Sequence, residues 1–334
     1  MDNGDTSGTD PKAGRGGGIS NLGTLKVTNS TFSRNHASFG GGGIGNGIPE
    51  EPDLHVSAVP GNLTLSDSVF FDNNGGGIGG AIGSGAGSTM NLTGCTIFHN
   101  TASIEGGGVA NQGSAILNKC TISGNSGSLG GGIVNGGQLF LTDSLVAGNN
   151  APGSPTDPLS TGLGGGLLNV ASATVTLNHT DVTGNSAANG GGGIVNASFQ
   201  GQVGTATVID SDVSGNSTTS VNPGVGFPGI GAGILNGGNM SLTHSNVTGN
   251  NATADGGGIY NASDPSSGAA LADLTLTHSD VTNNNAGQGH HGGGIFNQAS
   301  NKIRLNQSTV VFNTPDDCSG VSCPIMTNAM STSR

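Results

Sequence analysis

The side chains in this sequence best suited to chemistry are His179, Asp210, His244 and His278, each followed two places on by Asp181, Asp212, Asn246 and Asp280. The first four are spaced 31, 34 and 34 residues apart. That is too far for neighbours on one strand or helix, and suited to side chains stacked by a repeat. If successive copies lie about 4.8 Å apart, acids and imidazoles form two parallel columns. Groups that close can hold a divalent cation such as Ca²⁺, and His179, Asp210 and Asp212 are the candidate ligands. They can also act as general acid and base, and paired carboxylates are what both inverting and retaining glycoside hydrolysis require. Asp181, Asp212 and Asp280 are the catalytic candidates, with His244 and His278 assisting. A repeat also copies its outward residues by duplication, so a solvated polar ladder explains the same columns without function. No cofactor is implied beyond such a cation.

The element that must position these residues is a repeat used about ten times. Its first half reads G-G-G-I-x-N, from Gly16–Asn21 to Gly292–Asn297, with a degenerate copy Gly79-Gly80-Ala81-Ile82. Its second half ends on Asn35, Asn73, Asn100, Asn125, Asn149, Asn185, Asn216, Asn250, Asn284 and Asn313. Between them the apolar residues alternate, which is the period of a strand; Leu274, Leu276 and Val281 correspond to Val175, Leu177 and Val182. The shortest copy, Val109 to Ile133, is 24 residues, room for three strands of about five residues and their turns. The expected fold is therefore all-β: a single-domain, right-handed parallel β-helix of about ten three-strand coils. It covers residues 16–313, between a polar segment (1–15) and a C-terminal cap or tail (314–334). Gly and Asn are expected at positive φ in the corners, with the Asn amides stacked along the axis. The thin interior is expected to hold Ile, Leu, Val, Ser and Cys without aromatics. Helix is opposed by about 1 kcal/mol per Gly.

Composition excludes several functions. The 334 residues include 66 Gly, and 8 Lys plus Arg face 20 Asp plus Glu, a formal charge of −12. So acidic a surface does not bind nucleic acid through phosphates, and no apolar run of about 20 residues spans a membrane. The glycines open no helix, so phosphate-loop readings fail. His290-His291 is at most an incidental metal contact. Residues 1–15 lack the apolar stretch of a secretion signal, so a signal was removed or the chain is part of something larger. A Cys318–Cys323 disulfide closing a capping loop is expected, which places the chain outside the cell. Cys95 and Cys120 share an inward column and are either bridged or free.

At these residues the chain resembles chlamydial polymorphic membrane proteins and predicted bacterial surface β-helices with a pectin-lyase-like fold. Their repeat signature pairs G-G-[AG]-[ILV] with F-x-x-N. Gly79-Gly80-Ala81-Ile82 matches the first element, and Phe32–Asn35 and Phe70–Asn73 match the second. The resemblance covers about residues 16–313 and implies architecture rather than activity, since such folds host adhesins and polysaccharide-cleaving enzymes alike. β-Helical lyases typically use Arg or Lys as base or clamp, with Ca²⁺ held by Asp. Here Lys12, Arg15, Lys26, Arg34, Lys119, Lys302, Arg304 and Arg334 all lie outside coils six to nine, which argues against a polyuronate lyase.

Loops lengthen after the G-G-G-I-x-N strand (about 47–61, 197–205 and 262–272) and after the second Asn (about 151–163, 218–228 and 286–291). Both sets flank the Gly-rich strand and can wall a trough for an extended polymer, although solenoids also accept insertions at turns without purpose. In that strand the x position reads Val134, Leu168, Val195, Leu235, Tyr260 and Phe296. Outward, it is an apolar contact stripe; inward, it is core. Leu235, Tyr260, Phe296, His244 and His278 are the candidate binding residues. Outward Thr/Ser pairs such as Thr64/Ser66 and Thr275/Thr277 suggest an ice-binding face, but Lys26, Ile116, Phe140 and Arg304 interrupt it. The leading expectation is an extracellular or cell-surface structural or adhesive module binding a polysaccharide or a surface protein. The alternative is a carbohydrate-active enzyme, a glycoside hydrolase before a lyase. Ice binding is a remote third.

Overall fold

Alternating apolar residues become strands, and each strand pairs in parallel with its counterpart one repeat away. The computed structural model describes residues 1–6, 15–47, 58–153, 162–219, 228–262, 272–298 and 301–323. Its strands form four parallel sheets of eleven, ten, ten and eight members, a parallel β-helix. The first sheet holds the G-G-G-I-x-N strands, Ile19–Asn21 to Ile295–Asn297, and ends on Cys318–Ser319. The second holds five-residue strands, Thr24–Thr28 to Lys302–Asn306. The third runs from Thr31–Ser33 to Thr309–Val311. The fourth runs from Asp5–Thr6 to Ser217–Thr218, and after its first strand each member follows a corner Asn, from Asn35 to Asn216.

The coils up to Ser217–Thr218 thus have a fourth strand where three were expected, and the later coils keep three. The fourth arises because the first Gly of the triplet breaks one side in two. That Gly takes positive φ from Gly79 to Gly292, where an ordinary strand cannot continue. Register is one-to-one: Val182, Val213, Val247 and Val281 are successive partners, so letters one repeat apart become vertical neighbours.

The recurring asparagines form two buried ladders. In one, the backbone N–H and side-chain Nδ2 of Asn216 both donate to Oδ1 of Asn250, each at 2.9 Å. Asn250 donates likewise to Asn284, at 3.0 and 2.9 Å. In the other, Asn196 donates to Asn236 at 2.9 Å and Asn236 to Asn261 at 2.8 Å. The corner asparagines do not carry the positive φ expected of them. The residue before each one usually does (Arg34, Asp72, His99, Gly184, Gly215), leaving the amide free to bridge coils.

A third buried column runs Ser68, Cys95, Cys120, Ser144, Thr180, Ser211, Ser245, Ser279 and Ser308. Backbone amides donate along it, Thr180 to Ser211 Oγ at 2.9 Å and Ser279 to Ser308 Oγ at 3.1 Å. Cys95 and Cys120 are free thiols here. The hydrogen bond that the Cys120 thiol donates to Cys95, and then burial, hold Cys120 well above its ordinary range, so it stays protonated and unreactive.

The interior is mostly Ile, Leu and Val, with one departure. Phe32 and Phe70 lie in it as a parallel stack, centroids 4.6 Å apart, so the aromatic-free expectation fails in coils one and two. Each end carries one short extra pairing, while the inward Leu25, Val27, Ile303 and Leu305 of the end strands are only partly buried. Asp5–Thr6 pairs with His36–Ala37, and Asp2 bonds Arg34 at 2.5 Å. At the other end Cys318–Ser319 pairs with Ile295 and Phe296, and Cys318 is disulfide-bonded to Cys323.

Glu105, half-buried on the fourth sheet, has its carboxyl raised by burial. A raised folded-state value means the stabilising contribution is present at acid pH and lost as pH rises through that value. Replacing Glu105 by Gln is therefore expected to raise the neutral-pH melting temperature and flatten its decline with pH, as scanning calorimetry at several pH values would show.

Candidate functional site

Between the second and third sheets each coil turns through one residue in the left-handed region. Asn29, Asp67, Lys119, Asp143, His179, Asp210, His244, His278 and Gln307 occupy it, with φ of 46–53°, and Gly94 in the remaining coil, with φ of 62°. Asn, Asp and His are enriched in that conformation, and the corner leaves their side chains exposed. The turn therefore accounts for the residue types of this column. The His179 Nε2 and His244 Nδ1 atoms lie 3.9 Å from the two Asp210 carboxylate oxygens, and the His244 and His278 rings stack at 5.1 Å.

Asp212 lies two residues on, on the third sheet, where it accepts a 2.8 Å hydrogen bond from Asn246 Nδ2. The proposed ligands thus divide, His179 with Asp210 at the corner and Asp212 on the sheet. Among the described residues no group of three or more His, Cys, Asp or Glu is placed to hold a metal ion. Asp181, Asp212 and Asp280 are all exposed on the third sheet. Asn246 separates Asp212 from Asp280, and Asp280 accepts from Thr309 Oγ1. Asp181 and Asp212 begin adjacent paired strands, about 4.8 Å apart by coil spacing.

The x column of the first sheet points away from the interior, since the Ile and Asn on either side of it are buried inward. It is nevertheless covered. Val134, Leu168, Val195 and Leu235 are at most 5% exposed, packed with Ile230, Ala254 and the half-buried Leu129 and Leu163 in a second apolar cluster. Leu235 therefore offers no contact surface. Much of the expected trough (48–57, 154–161, 220–227 and 263–271) lies outside the described residues.

The column opens at its C-terminal end. Tyr260 and Phe296 are half-buried and stack with centroids 4.8 Å apart at 16°. Burial, then the nearby Asp255 carboxylate, raise the Tyr260 phenol, keeping it protonated. His290 Nδ1 lies 3.3 Å from Asp255 Oδ1, and His291 Nδ1 lies 3.8 Å from Asp316 Oδ2. Asp255 also accepts from the His291 backbone N–H at 2.7 Å. The result is an aromatic shelf edged by two acid–imidazole pairs. Tyr260 and Phe296 were legible in the sequence, but the Asp255 and Asp316 pairings were not. The available signal was offset: Asp255 and His291 each immediately precede a Gly triplet, so the repeat stacks them.

No protein-family model matches the chain, and no curated protein matches it. Among solved structures, the crystal structure of pectate lyase Pel9A is similar over 92% of this chain and 74% of that one, at 11% identity and a TM-score of 0.45. At that score and identity the likeness bears on neither substrate nor reaction.

Proposed function

We propose that the chain is an extracellular or cell-surface β-helical module, structural and adhesive, whose side face binds a polysaccharide or a surface protein. The observation that carries this reading is the Tyr260–Phe296 shelf, held by the ladders of a rigid rod and edged by Asp255, His290, His291 and Asp316. Aromatic faces stack on apolar surfaces while nearby carboxylates and imidazoles accept or donate hydrogen bonds, which suits the mixed surface of a sugar. The Cys318–Cys323 disulfide supports an oxidising compartment. A second reading, a glycoside hydrolase with an optional Ca²⁺, draws on the adjacent carboxylates of Asp181 and Asp212.

One experiment separates the two. The chain is incubated with a panel of soluble and insoluble polysaccharides, with and without Ca²⁺, and both retention and released reducing ends are measured. Retention without release is expected, weakened at least tenfold by Tyr260→Ala with Phe296→Ala. Release that disappears in Asp212→Ala at unchanged melting temperature would replace the module with the enzyme. Retention by no polysaccharide and no cell surface would remove the adhesive reading.

A further inference from the structure

The outer face of the second sheet is distinct from the Tyr260–Phe296 shelf, and its composition departs from that of the whole chain. Each strand sends its first, third and fifth residues outward and its second and fourth into the core, as Thr89, Asn91 and Thr93 do around the buried Met90 and Leu92. Register is unbroken from Thr24–Thr28 to Lys302–Asn306. The outward positions therefore make a flat array about 4.8 Å by 7 Å in spacing.

From Asn62–Ser66 to Asn239–Thr243, seven coils, the outward positions contain no Asp, Glu, Lys, Arg or His. They are Thr, Ser, Asn and Gln, with three apolar exceptions, Ile116, Phe140 and Ile209. On this second-sheet face charge is confined to the end coils: Lys26 at one, and Asp273, Lys302 and Arg304 at the other. At the latter end Arg304 bonds Asp273 at 2.6 Å, bounding a shallow depression of about 290 Å³ lined by Asn239, Ser241 and Thr275.

We propose that this face is a second binding surface, and that its ligand is an uncharged polysaccharide lying along the seven strands whose outward positions are neutral. Charge selects the class. A polyuronate would find no counter-charge on the strip and would meet Asp67, Asp143 and Asp210 along its edge, while a basic protein would find acids only at that edge; desolvating a charge against hydroxyls alone is unfavourable. Phe140 and Ile116 select within it. They are direct partners on adjacent strands, 43% and 48% exposed, and make an apolar spot ringed by hydroxyl and amide side chains. A neutral sugar ring presents the complementary arrangement, an apolar C–H face with hydroxyls at its edge. Stacking on Phe140 supplies the dispersion contact, and Thr64, Asn91, Thr142 and Thr176 supply donors and acceptors. An ice lattice would favour the same hydroxyls, but not a central column broken by a phenyl ring and a branched alkyl group.

The test uses affinity electrophoresis and co-sedimentation of the whole chain with mixed-linkage β-glucan, mannan, cellulose and chitin, and with polygalacturonate as the charged comparator. Retention by at least one neutral polymer is expected, weakened about tenfold or more in Phe140→Ala and in Thr176→Asp. Gln307→Asp adds the same charge off the face, at a corner where Asp67 and Asp210 already sit, and should bind as the parent does. Melting temperatures identify any variant that merely unfolds; for such a variant Thr64→Asp replaces it. Neutral-polymer binding that survives the face variants but fails in Tyr260→Ala assigns the sugar to the shelf and overturns this inference while leaving the module reading intact. Retention by polygalacturonate alone overturns it, as does ice-growth inhibition lost in Thr176→Asp without glycan binding.

Discussion

Replacing Asn216 by Ala is expected to lower stability by about 4 kcal/mol, or to divide the rod's unfolding into two transitions. Asn216 is fully buried, and its Oδ1 accepts from both the backbone N–H and the Nδ2 of Asn185, at 2.9 and 3.0 Å. Its own Nδ2 donates to Val182 O and to Asn250 Oδ1, both at 2.9 Å. Ala removes every one of these side-chain bonds, strands the buried Asn185 backbone N–H and leaves its Nδ2 with Val146 O alone. A stranded group costs about 1–3 kcal/mol, and with the lost side-chain bonds the sum lies at the upper end of single substitutions. Because a solenoid is stabilised coil by coil, the loss falls on the contacts of the Asn216 coil with the coils of Asn185 and Asn250. Two variants calibrate the result. Asn91→Ala removes an exposed amide and is expected to change stability by less than about 0.5 kcal/mol. Asn216→Asp keeps the acceptor and loses the donor, placing a carboxylate against Val182 O and Asn250 Oδ1. Its acid is stabilised in the neutral form, so the folded-state value is raised; stability is retained at low pH and lost as pH rises through that value. Chemical denaturation at neutral and acid pH measures all three. An Asn216→Ala protein as stable as Asn91→Ala would mean that the ladder is an accompaniment of the fold rather than its support.

The solenoid was readable because its determinants are local and copied. Leu274 and Leu276 alternate within five residues, and the corner asparagines recur in all ten copies, so pattern alone identifies strands and stacking. The fourth strand per coil was not readable, because it is only two residues long in most coils, as at Asn74–Gly75 and Ser186–Ala187, and too short to alternate. The His and Asp columns show a different limit. Sequence placed His179, Asp210, His244 and His278 together, as the structure does. It did not reveal that they stand at a left-handed turn, which itself favours Asp and His. The x column was undecided for a physical reason as well. Val134 and Leu168 do point outward, but what covers them (Leu129, Leu163, Ile230) comes from the flanking segments, whose path the repeat does not specify. The Asp255–His290 and His291–Asp316 pairs depend on those same irregular segments.

Substituting Gly231 by Val is expected to cost about 4 kcal/mol or more, and to detach the last coils from the rest. Two requirements meet at this residue. Its φ of +59° costs an L-residue about 1–2 kcal/mol, and a β-branched side chain is a genuine outlier there. A Cβ would also stand 2.5 Å from Ile234 O and 3.1 Å from Leu235 Cα, which are backbone atoms of its own turn that cannot rotate aside. The repeat reflects this difference between neighbouring positions. The first Gly of the triplet has no substitute in ten copies, whereas Ala81 and Ala232 replace the third and the second. Left-handed φ alone does not demand Gly. His244 has φ of +49° at an exposed corner, where the side chain projects into solvent, and His244→Gly is expected to change stability by less than about 1 kcal/mol. Denaturation with hydrogen exchange on Gly231→Val, Gly231→Ala and His244→Gly tests the distinction. The expected order of loss is Val, then Ala, then the corner variant, with exchange in Gly231→Val fastest among the amides of residues 228–262 and 272–298. Equal losses for Gly231→Val and His244→Gly would show that the torsion, and not the space beside it, sets the requirement for glycine.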